Sequence, residues 1–527
     1  MVTTPHTAFG RYDVAIVGAG HNGLVAATYL ARAGLSVLVL ERLDRVGGAT
    51  VTAQPFPSRP TRISRYADLV SLMPVRLMAE LELDVRLAPR PVSSYTPFVR
   101  DGRQRGLLVE NPEGKRTRTS FLELTDSSRE YDAWCSFYAE VAAMARAVEP
   151  TLLEPLPKES DLAAHVDDAT WRDFVTTPLG EVIEKRFADD LVRGIVATDA
   201  LSGSFGSLHD PSLEQNRLFL YRLIGGGSGE ELVPRGGMGA ISDALARAAA
   251  SAGAEIRVGA GVSAIRAGDE SNEVDFDTAG GPATVEASYV LANVAPWVLH
   301  ILLGEPDDPE TKPEGAQLRI NLLLDRLPRL KSGIDPATAF AGTLHLGSSY
   351  AQLQQAHDEA ARGVLPTTIP AAVTCPSLVD PSLLGAVPPG SQTLSILTLQ
   401  TPASVFAADP QGTRDEAVRR VLASLDEHLV DAIESVVARD EQNDPCLEAK
   451  TPADVEAELA MPGGHPHHGS LDWPWANNRA RLETPDQRWG VPTGLPRVFL
   501  AGAGARRGAG VSGVAGHNAA QAVLASR

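Results

Sequence analysis

A short apolar run at residues 13–17, Asp-Val-Ala-Ile-Val, opens the hydrophobic pattern of this chain and predicts a buried strand. Behind it Leu24, Ala27, Leu30 and Ala31 recur at helical spacing until Gly34, which predicts a helix and its stop. Residues 37–40 form a second apolar run that ends on Glu41. Far downstream, a helix from Ile241 precedes a strand at residues 255–258. Leu318, Ile320, Leu322 and Leu324 alternate as in a half-buried strand across residues 317–325, and residues 393–399 predict another. Between residues 413 and 440, Val418, Val421, Leu422, Leu425, Leu429, Ile433 and Val436 fall on one face of a long helix. Thr413 is its expected N-cap, with Glu416 three residues on. Residues 498–500 form a last strand, and Gly510-Val511-Ser512-Gly513 opens a last helix. Stretches 305–315 and 386–390, rich in proline and glycine, read as exposed loops.

The chemistry sits between the first strand and the first helix, in Gly18-Ala19-Gly20-His21-Asn22-Gly23. Strand, glycine turn, helix, strand and terminal acid together form a βαβ dinucleotide fingerprint. Gly18 permits the tight turn, Gly20 lets a pyrophosphate approach the backbone, and Gly23 lets the helix pack on the sheet. The free amides at the helix start would hold the phosphates. Glu41 is placed to accept from the adenosine ribose hydroxyls, and its charge argues against a 2′-phosphate. NAD and FAD remain open on these residues alone. Arg42 and the stretch Arg45-Val46-Gly47-Gly48-Ala49-Thr50 follow directly and extend the candidate cofactor site.

On these residues the chain resembles the phytoene-desaturase-like flavoproteins, in which the second glycine pair continues an FAD site. The carboxyl-terminal segment, with Gly502, Ala503, Gly510, Val511, Ser512 and Gly513, resembles that family's last FAD segment. Inner blocks at residues 233–239 and 289–296 resemble that family's return to and exit from the FAD domain. Those at 63–66 and 198–230 resemble its pyridine nucleotide-disulphide oxidoreductase domain-containing protein 2 branch, and Val262 falls where a backbone contact to adenine is usual. The resemblance implies non-covalent FAD on a Rossmann-type, glutathione-reductase-like α/β domain with an inserted α+β substrate domain whose sheet is mixed or antiparallel. The FAD domain is expected at residues 1–86, 228–298 and 453–527, and the substrate domain at 87–227 and 299–452. The family's usual T-H-P-G-like stretch is replaced by Ala505-Arg506-Arg507-Gly508. This puts carotenoid desaturation in doubt and sets two arginines where they could face the flavin.

Composition narrows the partners. A net charge of −19 and a pI near 5.1 argue against nucleic acid. No apolar run reaches 18 residues, so no transmembrane helix is expected. The amino terminus lacks a signal-peptide pattern, which makes the cytoplasm the expected compartment; peripheral membrane contact and oligomerisation stay open. Three cysteines (Cys135, Cys375 and Cys446) lie far apart with no C-x-x-C, so no dithiol redox pair is expected. Arg65, His209 and His468 are the candidate catalytic residues; the run at residues 465–468 holds three histidines but reads as a loop, and no metal is expected. The expected function is an FAD-dependent dehydrogenase or desaturase moving a hydride from a small apolar or amphipathic substrate. The alternatives are a flavin amine oxidase, an isomerase or saturase of the same superfamily, or a flavin-binding interaction protein. Amine oxidases often enclose the flavin in an aromatic cage. Trp473 and Trp475 are the nearest candidates for one in a chain that is only 5% aromatic.

Overall fold

The computed structural model describes residues 7–225 and 229–527. The expected boundary between residues 227 and 228 lies outside the described residues. Two seven-stranded sheets organise the chain. The first is centred on parallel strands in the order Val498–Leu500, Gly281–Ala292, Thr7–Val17, Val37–Leu40 and Glu255–Arg257. Antiparallel strands Asn272–Thr278 and Val262–Arg266 extend it at one edge. Val14, Ile16, Leu38 and Val39 are fully buried, as parallel strands covered on both faces must be. Helices His21–Arg32, Gly239–Ser251 and Val514–Ala525 pack together beside this sheet. Three sequence segments, from both ends and the middle of the chain, therefore build one layered unit.

The second sheet runs Leu447–Lys450, Arg319–Leu324, Gln392–Thr398, Ala371–Thr374, Thr343–Leu346, Val92–Arg100 and Arg103–Glu110. It is antiparallel except where Thr343–Leu346 runs parallel to Val92–Arg100. The strand Arg319–Leu324 is buried on both faces, not half-buried as its alternation predicts. The face expected to meet solvent instead meets the segment around residues 64–68. There Arg319 pairs with Asp68 at 2.9 Å, and the Asn321 amide reaches the Arg65 carbonyl and Glu448.

The long helix expected over residues 413–440 also differs. It spans Pro410–Asp426, capped by Asp409, whose side chain accepts from the Gly412 amide. Pro at the first helical position and Asp before it are stronger start signals than Thr413. The Asp426 carboxylate then accepts from the Ile433 amide at 2.6 Å, folding the chain back. Leu429, Ile433 and Val436 thus stay buried outside that helix, Ile433 opening a separate single 3-10 turn at Ile433–Ser435. A helical layer between Lys115 and Ile224 completes the molecule. At its centre the Phe137 ring meets Phe174, Phe187 and Phe219 at 5.4, 5.4 and 5.9 Å. No helix among the described residues is long and apolar enough to cross a membrane.

Candidate active site

A cleft opens at the carboxyl ends of the first sheet's parallel strands, where open α/β sheets bind ligands. Gly18 turns there with φ +97°, and a Cβ on it would sit 2.9 Å from the Asn293 carbonyl oxygen. A Cβ on Gly23 would come within 2.3 Å of the Gly18 carbonyl, so the helix can approach the strand only with glycine at that position. The helix starts at His21, and Gly20 before it offers no side-chain cap, so the first-turn amides keep no side-chain acceptor. Gly20 bridges to Gly47, and the Gly47 amide donates to the Ala19 carbonyl at 2.9 Å. The two glycine turns thus face one another across the cleft.

Glu41 is buried and serves the turn as well as the cleft. One carboxylate oxygen accepts the Ala19 amide at 2.8 Å, and the other accepts the Leu43 amide at 2.9 Å. His21 is held by the Thr50 hydroxyl at 3.1 Å on Nδ1 and its ring also meets the Gly510 backbone, while the Asn22 side-chain oxygen Oδ1 has no hydrogen-bond partner among the described residues. Burial lowers the His21 pKa to about 4, so the ring is neutral. Uncapped amides, an orphaned polar atom and a carboxylate with spare lone pairs are the donor and acceptor set a dinucleotide requires. The residues fit FAD.

Of the expected cofactor residues, Gly18, Gly20, His21, Asn22, Glu41, Arg42, Gly47, Gly48, Ala49, Thr50, Val262, Ala503, Gly510 and Val511 line this cleft. Ala19, Gly23, Gly502, Ser512 and Gly513 support it from behind. Ala19 binds Glu41, the Ser512 hydroxyl accepts the Val514 amide at 3.3 Å, and Gly513 caps the last helix with φ +74°. Arg45 points away, half-exposed, with Asp44 at 3.6 Å.

The catalytic candidates separate. His468 lines the cleft in a left-handed conformation (φ +63°); its Nδ1 lacks a partner among the described residues, and burial lowers its pKa to about 4. Arg65 is turned away, its Nε 3.0 Å from Glu448. His209 sits elsewhere, 3.1 Å from Glu184 and 3.2 Å from the Tyr350 hydroxyl. Arg506 and Arg507 do not line the cleft either. Arg506 reaches the Trp475 carbonyl and Asp472, and Arg507 is buried while donating to the carbonyls of Pro474, Leu152 and Glu154. Trp473 and Trp475 stack on each other at 4.9 Å outside the cleft, so they form no cage around it. Cys135, Cys375 and Cys446 are free.

Sequence reasoning missed Asn293, whose side-chain amide donates to the Gly18 carbonyl at 2.9 Å. It also missed Tyr66, Gln317, Arg319, Leu397 and His467 in the cleft wall. The block at residues 289–296 contained Asn293, the block at 63–66 contained Tyr66, the histidine run at 465–468 contained His467, and the strands at 317–325 and 393–399 contained the rest, but nothing in them marked these side chains as cleft residues.

The sequence pattern of the flavin-containing amine oxidoreductases matches residues 23–524. An uncharacterized protein of Mycobacterium tuberculosis is 44% identical over 98% of this chain and 97% of its own. The pyridine nucleotide-disulfide oxidoreductase domain-containing protein 2 of Mus musculus is 28% identical over 98% of this chain and 93% of its own. Among solved structures, a putrescine oxidase mutant superposes with a TM-score of 0.60 at 17% identity, covering 98% of this chain and 99% of that one.

Proposed function

We propose, from the premise that this chain belongs to the family of flavin-containing amine oxidoreductases and is an FAD-dependent oxidoreductase, that it oxidises a mainly apolar substrate as a dehydrogenase or desaturase. Bound FAD supplies the two-electron acceptor. In this reading the uncapped helix start at Gly20 takes the pyrophosphate, Glu41 takes the ribose hydroxyls, and the Val262 backbone meets the adenine. Gly510 and Val511 then lie toward the ring end. The segments 1–86, 228–298 and 453–527 form the cofactor half, and 87–227 and 299–452 form the substrate half.

One observation carries the reading. Glu41 is the only carboxylate among the described residues lining the cleft, and both its oxygens already hold backbone amides. Beyond it the wall is mainly aliphatic, with Ala67, Val294, Val298, Leu302, Leu397, Leu459 and Met461. An ammonium group entering this cleft would lose its water without gaining a counter-ion. A C–H bond needs only positioning and exclusion of water. His467 and His468, held neutral by burial, can accept or donate hydrogen bonds there without adding charge.

The test is anaerobic rapid mixing of the FAD-loaded enzyme with NADH, NADPH, a panel of primary amines and a panel of hydrophobic alkenes and terpenes. Bleaching of the flavin band by a hydrophobic donor, and by neither nucleotide, is expected. Fast reduction by NADH or NADPH would make the protein a reductase or saturase. Reduction by an amine would favour amine oxidation, the reading suggested by the fold it shares with putrescine oxidase.

A further inference from the structure

Behind the cleft lies a second hollow of about 540 Å³, within the range of small-molecule sites, roughly 300–1,000 Å³. The partition between the two is thin. Leu397 lines both. The Gln317 amide, on the cleft side, donates to the Ser202 hydroxyl on the hollow side at 3.3 Å, and the His467 ring meets the Ser202 backbone. At its other end the hollow reaches solvent past the exposed residues Glu113 and Arg146. It is therefore a passage from the surface that stops one side chain short of the cleft.

Its inner wall is polar in a specific way. Arg90 and Arg222 both bond Glu231, and Arg222 Nε lies 3.4 Å from Asp199. Arg90 also donates to the Thr343 hydroxyl at 3.0 Å. Two guanidinium groups thus face two carboxylates, so this inner group of four balances, while Glu110, Glu113, Arg146 and Glu230 line the more exposed part of the hollow. Asp199 and Arg222 are set deep in the protein, yet 25% and 33% of their side-chain surface stays open, and both line the hollow. The Arg222 contact is too long to saturate Asp199, and burial raises the Asp199 pKa to about 6. Tyr138 lines the hollow beside Asp199, whose charge adds to burial in keeping the phenol protonated. His345 is buried and neutral, with a pKa lowered to about 4 by burial.

We propose that this hollow holds the polar end of an amphipathic substrate: a neutral hydroxyl group that donates to Asp199 and accepts from Tyr138, while the apolar remainder passes Leu397 into the cleft. The inference rests on the apolar reading of the cleft and extends it by a substrate class. A charged group is disfavoured because it would leave one buried charge uncompensated in a network that already balances. A purely hydrocarbon ligand is disfavoured because it would strip water from Asp199 and Tyr138 without replacing its hydrogen bonds.

The test measures binding and not turnover, so a failure of the dehydrogenase reading leaves it interpretable. FAD-loaded enzyme is titrated near neutral pH with decan-1-ol, decanoate and decylammonium, followed by calorimetry and by the absorption spectrum of the bound flavin. Decan-1-ol is expected to bind saturably and to perturb the flavin spectrum, with the two ions at least about tenfold weaker. Tyr138→Phe and Asp199→Asn should each weaken the alcohol roughly fivefold, the worth of about one hydrogen bond. Leu397→Trp should block passage and abolish the spectral change. Tighter binding of either ion, no saturable binding of decan-1-ol, or unchanged alcohol affinity in both polar variants would each overturn the proposal. The charge series is read on the parent enzyme, so it decides the matter even where a variant fails to retain FAD.

Discussion

Glu41→Ala offers the sharpest examination of the cofactor site, because the carboxylate has two separable duties. In the free protein it accepts the Ala19 amide at 2.8 Å and the Leu43 amide at 2.9 Å. Truncation leaves both donors without that partner, and the Ala19 one is buried. An unsatisfied buried donor costs about 1–3 kcal/mol, so a loss of roughly 2–4 kcal/mol in unfolding free energy is expected for the apoprotein. The second duty is to the ribose. Each charge-assisted hydrogen bond contributes about 1.5–3 kcal/mol, which weakens FAD binding by roughly 10- to 100-fold. Glu41→Gln divides the two differently. It keeps one acceptor for a backbone amide but turns an amide group toward the other donor, so it should lose FAD affinity while retaining more stability than Glu41→Ala. Urea unfolding of the apoprotein and fluorescence titration of FAD give the two numbers independently. If Glu41→Ala loses stability but holds FAD within about threefold of the parent, the carboxylate serves the turn alone and the ribose assignment is wrong.

Three further outcomes follow from the geometry. Replacing exposed Cys135 by Ser and buried Cys375 and Cys446 by Ala should leave flavin reduction by the true substrate intact; loss of turnover in a folded triple variant would reveal thiol chemistry. Arg507→Met should lower stability by about 3 kcal/mol, since three carbonyls lose a buried donor; its bound flavin should keep the parent's reduction potential, and a shifted potential would place the guanidinium near the ring. His345 and His465 are held neutral, with burial lowering their pKa values to about 4 and about 3. Unfolded histidines take up protons first, so this stability is full above about pH 6.5 and is lost as pH falls toward 4, by up to about 1.4 kcal/mol per pH unit for each ring. Asp199, raised to about 6, and Asp189, also raised by burial, work in the opposite direction, but His21, His467 and His468, lowered to about 4, add to the loss. A thermal midpoint that stays flat between pH 7 and pH 4.5 would contradict the sign.

What could be read from the sequence was what the local chain determines. The first βαβ unit is such a case: apolar periodicity, three glycines and a terminal acid lie within thirty residues, and each constrains its neighbours directly. Asn293 was hidden for the opposite reason. Its function is to hold the Gly18 carbonyl, 275 residues earlier, and nothing in its own surroundings announces that. Arg319 misled through its pattern. Alternation places it on a polar face, but the segment around residues 64–68 covers that face and buries the guanidinium against Asp68. Arg506 and Arg507 misled through proximity. They follow the glycine turn at residues 502–504 immediately, yet both side chains turn back to the segment that carries Trp475. Adjacency to a cofactor motif fixes where a backbone goes, and the side chain follows whichever acceptors are left unpaired nearby.

The same principle explains how one cleft and one hollow can divide the work on a substrate. In the proposed reading, Glu41, the one carboxylate among the described residues lining the cleft, serves the nucleotide, Arg319 is paired with Asp68, and His467 and His468 are neutral, so a C–H bond can be dehydrated there without stranding a charge. The aliphatic stretch of that wall, from Val294 to Met461, gives little orientation, because aliphatic contacts have no direction. The polar network lies on the far side of Leu397, where hydrogen bonds do have direction, and its charges cancel only while the ligand is neutral. Moving those charges into the cleft would favour the wrong ligands there, and removing them from the hollow would leave the substrate free to slide. The thin partition lets orientation be set on one side and chemistry be kept dry on the other.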